Sequence, residues 1–111
     1  MQSVTSNAVA NYVGGKIDTR TRTFNAIVGW TPVLTFADLT AGTYFIAVSV
    51  NEVMGDIQLF YNSSNIRIGE AGYKNGILIF TLTGVTTVTL QVYSNSAINN
   101  VTLNSMLKKI A

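Results

Sequence analysis

Cysteine and histidine are both absent from this 111-residue chain. Without Cys there is no disulfide, no thiolate nucleophile and no Cys-ligated metal site. Without His there is no Ser-His or Cys-His relay, and almost every zinc site is excluded. Charge is also scarce. Charged residues make up 11% of the chain, against about 25% in an ordinary soluble domain. Hydrophobic residues make up 48%, so the chain is not a disordered tail, which needs high charge and few apolar residues. Its polar surface is supplied by Thr, Ser and Asn.

The net charge is +2, from seven Lys/Arg and five Asp/Glu. The basic residues form two small groups, Lys16 to Arg22 and Lys108-Lys109, with Arg67 and Lys74 apart. A nucleic-acid-binding surface needs a denser basic stripe, so no nucleic-acid partner is expected. No apolar run approaches the ~18 residues of a membrane span, so no membrane insertion is expected. The N-terminus shows no basic region followed by an apolar stretch, so no signal peptide is read there.

The chain divides into a stalk or linker, residues 1–22, and a body, residues 23–111. In the stalk, Ser3, Thr5 and Ser6 offer helix N-caps for a short helix from Asn7 to Val13, and Gly14-Gly15 would end it. Val4, Ala8 and Tyr12 share one helical stripe. A helix this short is marginal alone and needs packing against the body or against copies of itself, which makes Val4 and Ala8 candidate interface residues.

The body reads as β. Val, Ile, Thr, Tyr and Phe dominate, and Gly, Asn and Ser interrupt at short intervals. About eight strands are predicted, near 23–30, 33–36, 43–51, 56–61, 65–69, 76–83, 85–93 and 101–110. Short strands with frequent turns point to an antiparallel sandwich or barrel. Val88, Leu90 and Val92 alternate with Thr87, Thr89 and Gln91, as in a strand with one face in water. Two other strands are apolar on both faces. Tyr44, Ile46, Val48 and Val50 are opposed by Phe45 and Ala47; Leu78, Phe80 and Leu82 are opposed by Ile77 and Ile79. Only one face of a two-layer sandwich meets the core. The second is covered by a loop, by the N-terminal segment, or by another copy of the chain.

Chemistry has few candidates. The acidic residues are Asp18, Asp38, Glu52, Asp56 and Glu70. Glu52 and Asp56 flank a turn, which reads as solvated and falls short of the six to eight oxygen ligands of a Ca²⁺ site. No phosphate-binding glycine loop is present. The chain is therefore read as non-enzymatic, with no cofactor and no metal. Recognition has more support. Tyr61, Tyr73 and Tyr93 fall at strand ends or in loops, close to Asn62, Arg67 and Asn95. Flat rings beside amides and a guanidinium suit a saccharide. These six are the candidate receptor-binding residues. Trp30 is a further ring of this kind, but it reads first as a core or interface residue.

The opening Met1-Gln-Ser-Val-Thr-Ser-Asn-Ala-Val-Ala10 resembles a linker in tail-fibre and receptor-binding proteins of phages and prophages. Ala41-Gly-Thr-Tyr-Phe-Ile-Ala-Val-Ser-Val50, Gly84-Val-Thr-Thr-Val-Thr-Leu-Gln-Val92 and Leu103-Asn-Ser-Met-Leu-Lys-Lys-Ile110 resemble strands of the trimeric jelly-roll head found in those proteins, in C1q and in the tumour necrosis factor family. The resemblance implies a jelly-roll sandwich and a homotrimer, with Tyr44, Phe45 and Phe80 near the threefold axis. It implies a place at the tip of a virion tail fibre, joined to the rest of the fibre. The fibre would be made in the bacterial cytoplasm and would meet a bacterial surface saccharide or protein. A purely structural trimerisation or capping module is the alternative, and a fibre-borne glycan hydrolase is a more distant one.

Overall fold

A computed structural model describes residues 17–68 and 74–111. Eight strands account for most of them: β1 (Ile17–Ala26), β2 (Gly29–Leu39), β3 (Gly42–Val50), β4 (Asp56–Tyr61), β5 (Ser64–Arg67), β6 (Asn75–Leu82), β7 (Thr86–Ser94) and β8 (Ile98–Lys109). They form two four-stranded sheets, β1-β8-β3-β6 and β2-β7-β4-β5. Every pairing is antiparallel. Each sheet draws strands from both halves of the chain, as two interleaved Greek keys do, and the architecture is a jelly-roll sandwich. Among the described residues there is no helix.

The sequence pattern explains the layering. On β7, Val88, Leu90 and Val92 are buried, while Thr89, Gln91 and Tyr93 on the opposite side are partly exposed. Ile46 on β3, Ile57 and Leu59 on β4 and Leu103 on β8 have no solvent-exposed surface. Each fully buried aliphatic side chain of this kind contributes about 1.5–3 kcal/mol. Met54 and Ile68 close the core from the loops beside β4 and β5.

Turn geometry follows residue type. Asn62 and Ser63, between β4 and β5, have φ of 50° and 61°. Positive φ at both central residues is what a two-residue type I′ hairpin requires, and Asn tolerates it well. Gly42 opens β3 where the chain end returns alongside. Thr43 N–H donates to Ala111 O (3.2 Å) and Ile110 N–H to Thr43 O (2.7 Å). A Cβ on Gly42 would fall 2.6 Å from Ala111 O, so only glycine fits.

The sandwich begins earlier than expected. β1 starts at Ile17, so residues 17–22 of the predicted linker belong to it. The inward side of this stretch carries Asp18, Arg20 and Arg22 in place of apolar residues, which hid its strand character. Arg20 donates to both oxygens of Asp18 at 3.0 Å and to Thr35 O at 2.8 Å, with its guanidinium 4.4 Å from the Phe36 ring centroid. Arg22 donates to Val33 O at 2.8 Å. The two arginines thus cap carbonyls of β2, an edge strand that would otherwise offer them to another chain. The predicted stalk helix, with Val4, Ala8 and Tyr12, lies outside the described residues.

Candidate functional site

The two outer faces of the sandwich differ in chemistry. On β1-β8-β3-β6, β3 and β6 are neighbours, with Phe45 opposite Ile79 and Ala47 opposite Ile77. The two strands that read as apolar on both faces therefore merge their second faces into one patch. β8 adds Met106 beside Ala47, and β1 adds Ile17. Ile77 and Ile79 are 62% and 59% exposed. Towards one end of β3 and β6 this face sinks into a depression of about 500 Å³, lined by Ala47, Gly76, Ile77 and Met106 together with the polar Thr19, Thr21, Ser49, Asn75 and Asn104. Contiguous exposed apolar surface of this kind marks an interaction face.

Tyr44 and Phe80, expected near a threefold axis, point the other way. Both are buried in the core, and their rings stack at 5.5 Å with 17° between planes. Tyr44 OH donates to Thr40 O at 2.7 Å. Strand alternation decides this: Tyr44 shares its side with Ile46 and Val48, whereas Phe45 is the outward residue. Of the three, only Phe45 lies on the open face.

The outer face of β2-β7-β4-β5 is polar with exposed rings. Trp30, Tyr93 and Asp56 share one row across β2, β7 and β4. Gln91 and Gln58 stand side by side in the next, with Arg67 beyond Gln58. Phe60 lies further along, between Thr89 and Asn65. Trp30 and Tyr93 meet edge to face at 5.3 Å. Asp56 is 7% exposed, and its carboxylate is a hub. Arg67 donates to it through Nε and Nη2, both at 3.0 Å, Gln58 Nε2 at 2.9 Å and the Ile57 N–H at 2.9 Å. Gln91 Nε2 donates to Asn65 Oδ1 at 3.1 Å. The face is a lattice of polar side chains whose orientations are fixed by one another.

The predicted receptor-binding residues divide. Arg67 and Tyr93 lie on this face, and Asn95 directly follows β7, with its amide beside Gly55. Tyr61 sits at the far end of β4, five residues and so about 16 Å along the strand from Asp56, the residue opposite Tyr93, and Asn62 follows it. Tyr61 packs on Phe80 (5.7 Å between centroids), and Asn62 serves the hairpin turn. Tyr73 lies outside the described residues. Sequence reasoning weighed Trp30 but favoured a core or interface role for it, and it passed over Phe60, Gln58 and Gln91. Their signal was present: Gln91 was already on a wetted face, and the alternation of Asp56, Gln58 and Phe60 places them on one side of β4.

No family model matches this chain. No curated protein sequence matches it. Solved structures do. The PRD1 vertex protein P5 superposes with a TM-score of 0.55 over 89% of this chain and 98% of that chain, at 14% sequence identity. At that identity the likeness is one of fold, and the fold this chain shares is that of a phage vertex protein.

Proposed function

We propose that this chain is a non-enzymatic assembly and adhesion module of a phage or prophage particle, placed at the tip of a tail fibre. It assembles as a homotrimer through the apolar face of β1-β8-β3-β6 and meets a bacterial surface saccharide or protein with the polar face of β2-β7-β4-β5. The observation that carries this reading is the division of chemistry between the two outer faces. The apolar face gains by leaving water, and association through it leaves the opposite face open on every copy. The fold shared with a phage vertex protein supports the particle setting. Asp18 and Asp56 are each held by an arginine, which makes them structural groups in this reading and not an acid–base pair.

Recognition by such a module rests on copy number. Three modest sites on one trimer, engaged together, raise avidity by about 10²–10⁴ over a single site. The test is binding of the fluorescently labelled full chain to bacterial cells, compared with an Ile79→Asp variant that carries a charge into the apolar face. The expected result is saturable binding by the wild type and loss of most apparent affinity in the variant, with its fold retained. A trimer that binds no cells of any candidate host would point to the purely structural role and contradict adhesion.

A further inference from the structure

We infer that the open face of β2-β7-β4-β5 takes an uncharged oligosaccharide, laid diagonally across the sheet between Trp30 and Phe60. This rests on the reading of that face as the recognition surface and names its ligand class. Trp30 and Phe60 are 39% and 42% exposed on a face whose other side chains, apart from Tyr93 and Pro32, are polar. They sit on β2 and β4 with β7 between them, four register positions apart along β7. Strand spacing and rise put them about 16 Å apart. That is the reach of a short chain of sugars and exceeds a single ring. An exposed aromatic ring at each end offers a flat apolar surface to the C–H face of a pyranose.

Gln91 and Gln58 occupy the ground between the rings, directly opposite each other. Each amide has its NH₂ group engaged by a neighbour, Asn65 and Asp56 respectively. This fixes the amide planes and leaves each Oε1 without a side-chain donor among the described residues. Fixed acceptors of this kind suit sugar hydroxyl donors and lose little entropy on binding. Charge selects the class. Asp56 and Arg67, the charged pair beside the glutamines, close on each other through two hydrogen bonds. The pair presents no net charge, so among the described residues an acidic polysaccharide finds no unbalanced cation on this face, and a neutral one breaks no ion pair.

Trp30 is the single tryptophan in the chain, so its emission reports contact directly. The test titrates the full chain with neutral and acidic oligosaccharide fragments of bacterial surface polysaccharides. Fluorescence and calorimetry are read in parallel with cell binding. The inference expects a neutral fragment of three or more sugars to shift Trp30 emission saturably. It expects Phe60→Ala to weaken that fragment at least tenfold, with the oligomeric mass and the melting temperature nearly unchanged. Binding of acidic fragments alone, or binding with no change in Trp30 emission, would overturn it. So would cell adhesion that survives periodate oxidation of the cell-surface glycans, an outcome that leaves the adhesion reading standing. Absence of cell adhesion altogether would overturn both.

Discussion

Ser105 carries a buried hydroxyl with no hydrogen-bond partner among the described residues. It sits inward on β8, opposite Arg20 and Val48. A buried hydroxyl with no partner has lost its water and gained nothing in return. Ser105→Ala is therefore expected to leave stability unchanged or raise it by up to about 1 kcal/mol, read as a denaturation midpoint. Asp56 is the opposite case. Removing its carboxylate in Asp56→Ala breaks the hydrogen bonds from Arg67 and Gln58. A loss of about 1–3 kcal/mol is expected in the same measurement. Residue type alone carries no hint of this difference. An Asp before an apolar strand reads as a turn residue, and only the antiparallel pairing of β5 brings Arg67, eleven positions away, onto it. The inward turn of Tyr44 was legible, by contrast, from its place in step with Ile46 and Val48. The interface expectation for it came from the family resemblance.

At the level of strands and turns, the eight-stranded pattern was readable because alternation and turn residues agree. From β3 to β7 every strand lies within two residues of its predicted span at both ends. β8 starts three residues early, at Ile98, and β1 and β2 depart further, each for a physical cause. β1 fills its inward positions with ions that pair and roof over Phe36, so no apolar period marks it. β2 is longer than expected at its start because Pro32 is harmless on an edge strand, where no ladder partner is lost. The β4–β5 hairpin gives a direct check on turn chemistry. Ser63 holds a φ of 61°, a conformation that a glycine at this position would adopt without strain. Ser63→Gly is expected to stabilise the fold by about 0.5–1 kcal/mol. A loss of stability on thermal unfolding would mean that the hairpin is not held as a type I′ turn.

The whole molecule is a sandwich with two unlike exteriors. The double-sided apolar strands pointed to a second apolar surface, and the topology places β3 and β6 side by side, which turns two separate stripes into one exposed patch. Which loops and rows converge on the opposite face was not legible, because a one-dimensional sequence does not say which strands become neighbours. That is why Tyr61 and Tyr93 were grouped, although β4 and β7 run antiparallel and set them at opposite ends. The division between assembly and recognition is the central claim, and the molar mass in solution tests it most directly. Light scattering on the eluting peak of a size-exclusion column should give three times the 12.0 kDa chain mass for the wild type. The Ile79→Asp chain should elute as a folded species of one chain mass. A wild-type monomer, or an Ile79→Asp trimer, would contradict the account.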